Sequence, residues 1–213
     1  MKIKNPFGKQ STSAFQTIIV SFLCIILVGT LLLLLPFATK EGNTTTFFDA
    51  LFTSVSATCV TGLTVKDTAT HWTVFGQAVI LLLVQIGGMG VITISVGLVG
   101  LTGKKIGLRE RSIMQESISA PQLGGIVKFI GFIIKTTIVI EIIGTLLFLP
   151  VFCKEFGVVG IWYAFFHSIS AFCSSGFDLM GVRGEYSSLM AFADNIYMNI
   201  IFMALVSVGG MGF

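Results

Sequence analysis

The sequence predicts an all-α integral membrane protein built as two tandem repeats. Each repeat reads as a membrane helix, a short re-entrant helix, a glycine-containing loop and a second membrane helix. Three observations predict this. Of 213 residues, 54% are apolar and only 11% are charged, which argues against a water-soluble domain. Residues 10–39 and 68–103 contain no ionised side chain, and each run exceeds the roughly 20 residues that span ~30 Å of hydrocarbon. Finally, a short polar interruption, SATCVTGLTV at 56–65, is written again as SAFCSSGFDL at 170–179.

The first span lies within 10–39. Its core at 17–35 is long, Leu-rich and closed by Pro36, whereas a cleavable leader would have a shorter apolar core and a small-residue cleavage site, so it is expected to be retained. Lys2, Lys4 and Lys9 precede this span, and Lys104, Lys105, Arg109 and Arg111 follow the run that ends at Gly103. The positive-inside rule puts both clusters, and the N-terminus, in the cytoplasm. Lys40 with Glu41 and Lys66 with Asp67 show no cationic excess and read as external. Parity then forbids residues 47–63 from crossing, because a third crossing would separate the two cationic clusters. As a helix, 47–57 rises roughly 16 Å, which reaches only mid-bilayer. It enters from outside and turns back.

The second half follows the same plan, with 126–151 going out, 157–172 dipping in and 195–213 returning. The outgoing span carries Lys128, Lys135 and Glu141. Lys135 and Glu141 are not spaced as an intrahelical pair, so Glu141 is expected to face protein or water inside a bundle.

Pro36, Ala50, Phe52, Ser54, Ser56, Ala57, Cys59 and Gly62 match Pro150, Ala164, Phe166, Ser168, Ser170, Ala171, Cys173 and Gly176 at a single offset of 114. A second shared element, Gly87-Gly88-Met89-Gly90 against Gly209-Gly210-Met211-Gly212, comes at an offset of 122. The organisation is therefore a first repeat at 1–103, a cytoplasmic linker at 104–125 and a second repeat at 126–213. Both copies begin inside, so they are parallel repeats about an axis normal to the membrane. Equivalent loops around one axis make the geometry of a pore.

Non-helical backbone at membrane depth is tolerated only where protein or a wet cavity satisfies it. A ring of carbonyls can replace the water of a dehydrated cation without a fixed charge that would hold it too tightly. Gly62 and Gly176 suit the positive φ that such a loop needs. The short helices point their partially negative C-terminal ends inward, which favours a cation. The plan is thus potassium-channel-like: pore helix, filter loop, membrane helix.

With the loops Thr58-Cys59-Val60-Thr61-Gly62-Leu63 and Cys173-Ser174-Ser175-Gly176-Phe177, the repeat resembles the Trk/Ktr/HKT superfamily of potassium transporters, most closely its Ktr-type membrane subunit. The resemblance covers essentially the whole chain. It implies four such units around one pore, with a single filter glycine in each. Carried onto this sequence, it makes Cys59, Val60, Thr61 and Gly62 with Cys173, Ser174, Ser175 and Gly176 the filter. Potassium would be held at Val60, Thr61, Ser174 and Ser175. It also implies K+ as substrate, Na+ as a possible coupling ion and no covalently bound cofactor. The partners it implies are membrane lipid, a second copy in a homodimer and a cytosolic ring of nucleotide-binding regulatory subunits, in a bacterial cell membrane. Only two of the four units are present, so the chain reads as the N-terminal half of a longer protein. The alternative is a half-length subunit that pairs with its own copy.

The remaining motifs carry less. Cys24, Cys59, Cys153 and Cys173 have no CxxC spacing and read as small, buried, reduced residues rather than a disulfide framework or zinc site. The GGMG elements read as close helix packing through small residues. Gly97, Gly100, Gly103 and Lys104 fail the phosphate-loop pattern at Leu98 and Lys105. His71 and His167 lack spaced ligand partners and read as solvated or packed. Ser174 and Ser175 lack the glycine two residues earlier that a serine-type membrane protease would want, so no enzyme is expected. The modest charge of +3 speaks about topology, not nucleic acid. Lys104, Lys105, Arg109 and Arg111 serve as the topological anchor, with docking of a cytosolic partner as their functional alternative. Two rival readings stay open: a non-conducting fragment or scaffold, and a sodium-permeable monovalent cation pore.

Overall fold

The computed structural model describes residues 14–90 and 126–211. Among these residues the regular structure is helical, apart from one isolated antiparallel bridge between Thr39 and Trp72. The first half holds α1 (Ala14–Leu33), α2 (Phe47–Thr58), the single turn α3 (Thr68–His71) and α4 (Val74–Met89). The second holds α5 (Ile126–Phe156), α6 (Val159–Phe172), two 3-10 turns (Met180–Val182 and Ser188–Phe192) and α7 (Ile196–Gly210).

Local chemistry sets the helix starts. Thr46 and Asp49 form a reciprocal capping box on α2: the Thr46 hydroxyl accepts from Asp49 N–H at 3.2 Å, and Asp49 Oδ2 accepts from Thr46 N–H at 3.1 Å. Thr73 caps α4 by accepting from Gly76 N–H, and Asn195 caps α7 by accepting from Met198 N–H. Such caps are worth about 1 kcal/mol each, enough to fix where a short helix begins.

Only Phe129–Phe156 is both long and apolar enough to cross a membrane among the described residues; α4, α6, α7 and the part of α1 from Ile18 are apolar but shorter. The outward faces are greasy. Ile19, Leu23, Leu27 and Leu31 form an exposed i, i+4 stripe on α1, and Ile138, Ile142 and Leu146 do the same on α5. Apolar faces this continuous match a lipid environment rather than water.

In each half the short helix is wedged between its two longer partners, α2 between α1 and α4, and α6 between α5 and α7. One device seats both. Ser54 donates to the Ile26 carbonyl at 2.8 Å, and Ser168 donates to the Glu141 carbonyl at 2.7 Å. Thr30 and Thr145 donate to the same two carbonyls from one turn further on. Gly29 and Gly144 permit the approach, since a Cβ on either would strike the serine Oγ. The halves meet where α4 packs on α6 and where α3 packs on the Met180–Val182 turn.

Two expectations differ from the structure. The outgoing span of the second half continues through Pro150 to Phe156 rather than stopping at 151. An interior proline weakens a helix, but here aromatic packing holds the last turn. The Phe152 ring stacks on His167 at 4.9 Å, and the Phe156 ring meets Tyr163 edge-on at 5.0 Å. The cysteines are all free, but Cys24 and Cys59 are exposed and Cys153 and Cys173 only half-buried. Burial was the wrong expectation because Cys24 faces outward from α1 toward an apolar groove and Cys59 lies just past the end of α2. Glu141, by contrast, faces protein as expected: it is buried and accepts from Gln85, while Lys135 is exposed.

Candidate functional site

Both short helices end the same way. The N–H groups of Cys59, Val60 and Thr61 donate back to the carbonyls of Val55, Ala57 and Ser56 at 2.8, 3.3 and 2.9 Å. Those of Cys173, Ser174 and Ser175 donate to Ile169, Ala171 and Ser170 at 2.9, 3.0 and 2.9 Å. Then the backbone turns left-handed at alternate positions: Val60 has φ +56° and Gly62 +73°, and Ser174 has +54° and Gly176 +77°. A β-branched valine at positive φ is a real outlier, sustained only where surrounding bonds over-determine it. The back-donating N–H groups are those bonds.

A serine inside each helix ties down the loop. Ser56 donates to the Leu63 carbonyl at 2.7 Å and therefore accepts from the Thr61 hydroxyl at 2.8 Å. Ser170 bonds the Phe177 carbonyl and the Ser175 hydroxyl in the same pattern. The N–H groups of residues 59–61 and 173–175 and the Thr61 and Ser175 hydroxyls are thus spent on the short helices and loops themselves. Among the described residues, the carbonyls of Val60, Thr61, Gly62, Ser174, Ser175 and Gly176 accept no hydrogen bond. Each loop thus presents a run of three successive unbonded carbonyl oxygens.

The two loops come together backbone to backbone. A Cβ on Gly62 would stand 2.5 Å from the Ser175 carbonyl oxygen and 3.2 Å from the Gly176 Cα. Beside them opens a cavity of about 210 Å³ lined by both glycines, Thr64, Asp67, Asp178 and Tyr186. Asp67 clasps the halves across this cavity. Its Oδ1 accepts from the N–H groups of Ala69 and Thr70, each at 2.9 Å, and its Oδ2 accepts from the N–H of Tyr186 at 3.0 Å. The Tyr186 hydroxyl returns a bond to the Val65 carbonyl at 3.0 Å. Asp178 accepts from Met180 N–H at 2.8 Å. Burial pushes the Asp178 carboxyl above its ordinary pKa; the Asp67 charge adds to this, and the Met180 N–H partly offsets it.

All eight sequence-predicted loop residues therefore lie in two equivalent loops, and both glycines border one cavity. Lys104, Lys105, Arg109 and Arg111 lie outside the described residues. Sequence reading missed the loop-tying role of Ser56 and Ser170, although both were visible as a repeated serine. It also missed the Asp67 clasp, whose partner Tyr186 is 119 residues away and carries no repeat signal. His167 is packed rather than solvated. Its Nδ1 bonds the Tyr163 carbonyl at 2.7 Å, so Nε2 is left to accept from Leu179 N–H at 3.3 Å, which pins the chain just beyond the second loop. Of the GGMG glycines, Gly87 lies against the Thr58 carbonyl, Gly88 against Cys173 and Gly209 against the Phe172 carbonyl, with no room for a Cβ at any of them, whereas Gly210 has open space beside it.

An all-helical fold with lipid-suited outer faces and two loops of successive unbonded carbonyls suits a helical membrane protein that handles cations. The chain belongs to the TrkH family of cation transport proteins, whose family model matches residues 4–213. It is 40% identical to the potassium/sodium uptake protein NtpJ of Enterococcus hirae over 214 residues, covering 100% of this chain and 46% of that protein. It is 39% identical to the Ktr system potassium uptake protein B of Bacillus subtilis, covering 93% of this chain and 43% of the relative. Against the Ktr system potassium uptake protein D of the same organism it is 35% identical, covering 100% of this chain and 47% of the relative. The chain thus spans about half the length of these relatives. The family is one of transport proteins, not enzymes.

Proposed function

We propose that the chain is the ion-translocating part of a potassium uptake system in a bacterial cell membrane. Potassium crosses by exchanging its water for the carbonyls of Val60, Thr61 and Gly62 and of Ser174, Ser175 and Gly176, with Cys59 and Cys173 anchoring the loops. The carrying observation is the pair of matched loops, each of which alternates left-handed residues and leaves three successive carbonyls without a hydrogen bond among the described residues. Thr61 and Ser175 act through their carbonyls, because their hydroxyls are bonded to Ser56 and Ser170. In this reading α2 and α6 are pore helices dipping from outside, the N-terminus is cytoplasmic, and two units of the plan occupy part of a ring. Further units, from a longer chain or a second copy, complete it.

The partner this reading brings is a cytosolic nucleotide-binding regulatory subunit, docked near Lys104, Lys105, Arg109 and Arg111; the names of two relatives as proteins of a Ktr system support a multi-component assembly. A second reading, in which sodium also passes or is coupled, is favoured by the name of the Enterococcus relative as a potassium/sodium uptake protein. The complete protein is expected to restore growth of potassium-uptake-deficient cells at low potassium, and Gly62→Ser to impair that rescue. Undiminished rescue by Gly62→Ser would count against Gly62 as an ion-contacting residue.

A further inference from the structure

We infer that the end of α4 is a positioning element for the loop of the other unit: Gln85 and Gly88 set where Cys173 stands and, through it, the cation preference of the second loop. The inference rests on the filter reading above and adds to it a pair of residues that touch no ion.

Gln85 and Gly88 are three residues apart and share one face of α4. Both meet Cys173, the residue that ends α6. A Cβ on Gly88 would lie 2.6 Å from Cys173 Sγ and 2.8 Å from its Cβ, so no side chain fits between them. Gln85 Oε1 lies 4.0 Å from the same sulfur, while Gln85 Nε2 donates to Glu141 Oε1 at 2.7 Å. Glu141 is 6% exposed on a long apolar helix, where a carboxylate needs a partner. One buried carboxylate thus holds the Gln85 amide, and that amide flanks the thiol.

Cys173 has little freedom to yield. Its N–H is bonded to Ile169, and the left-handed Ser174 follows at once. Gly176 is three residues on, so a shift at Cys173 is carried along a loop in which the Ser174 and Ser175 N–H groups are already committed. The neighbouring glycine does a different job: Gly87 faces the Thr58 carbonyl of its own unit. The glycine pair of α4 therefore serves two loops, one with each residue. The equivalent pair in α7 shows the contrast. Gly209 meets the Phe172 carbonyl of its own unit, whereas a Cβ on Gly210 would find no heavy atom within 4 Å. Cys59, the counterpart of Cys173, is correspondingly exposed. The Gly88 contact therefore runs from one unit to the loop of the other, whereas the Gly87 and Gly209 contacts stay within their own units.

The test measures potassium and sodium uptake, and the amount of transporter in the membrane, for the complete protein in potassium-uptake-deficient cells. Gly88→Ala is expected to lower the potassium-to-sodium uptake ratio roughly 3- to 30-fold. In a Cys173→Gly background, Gly88→Ala is expected to lower the ratio much less than it does in the wild-type background, because the atoms the new methyl strikes are gone. Gln85→Leu adds no bulk against Cys173 and should shift the ratio in the same direction; it decides the matter if Gly88→Ala fails to reach the membrane. Unchanged ratios in Gly88→Ala and Gln85→Leu at normal membrane amounts would overturn the inference, as would a Gly88→Ala defect that Cys173→Gly does not relieve. Gly176→Ser separates the two layers: if it shifts the ratio while the α4 variants are silent, only the positioning role falls, and if it is silent as well, the filter reading falls.

Discussion

Two residues at positive φ stand on either side of Thr61, and they are not equivalent. Val60 shows that this backbone accepts the roughly 1–2 kcal/mol that a left-handed conformation costs an L-residue. What Gly62 cannot accept is volume, since its missing Cβ would lie 2.5 Å from the Ser175 carbonyl. Sterics between loops, more than dihedral preference, make glycine the residue there, and the sequence hinted at this only by placing a glycine in both copies. Asp178 carries a second residue-scale consequence. Its carboxyl titrates above the ordinary aspartate value of about 3.9 because it is partly desolvated and lies near the Asp67 charge. Its negative charge at the cavity is therefore complete well above that raised value and is lost as external pH falls through it. Cation uptake is expected to decline as external pH is lowered through that raised value, at a higher pH than an ordinary aspartate would produce, and Asp178→Asn to start lower and lose that part of the decline. Parallel pH profiles for the two proteins would exclude Asp178 as the titrating group.

At the scale of elements, the short helices are held by backbone contacts that tolerate no added atom. Gly209 packs so closely on the Phe172 carbonyl that a methyl must move one helix or the other. Overpacking of this kind costs about 1–3 kcal/mol. Gly209→Ala is accordingly expected to lower the melting temperature of the purified, detergent-solubilised protein by several degrees, whereas Gly131→Ala, with nothing near its Cβ position, should leave it unchanged. Equal melting temperatures would show that α7 is not seated on α6 in this way. Much of this level was legible in sequence, because the serines and glycines of the two halves recur at a fixed offset. One seat escaped notice. Gly29-Thr30-Leu31-Leu32 and Gly144-Thr145-Leu146-Leu147 recur one residue out of step with the short helices, so an alignment locked on the prolines passes over the pair that binds Ser54 and Ser168. The run of α5 past Pro150 was hidden for another reason: it depends on Phe152 and Phe156 finding His167 and Tyr163, which are contacts between elements.

At the scale of the molecule, the links between the two units among the described residues include the Asp67 clasp, the Gln77 amide oxygen accepting from Trp162 Nε1 at 2.8 Å, Gln85 Nε2 donating to Glu141 Oε1 at 2.7 Å, and the α4 end against Cys173. These bring Gly62 and Gly176 side by side, which parity and repetition in the sequence could anticipate only as a shared axis. The partners in each link are long-range and differ between the copies, so no internal repeat could reveal them. The proposed mechanism requires both loops to face the same ion, and both glycines should then matter to its selection. The most direct measurement is the potassium-to-sodium permeability ratio, from reversal potentials, of the complete transporter carrying Gly62→Ser or Gly176→Ser. The account predicts that each substitution, at normal membrane amounts, sharply reduces the preference for potassium. A wild-type ratio in both would contradict it.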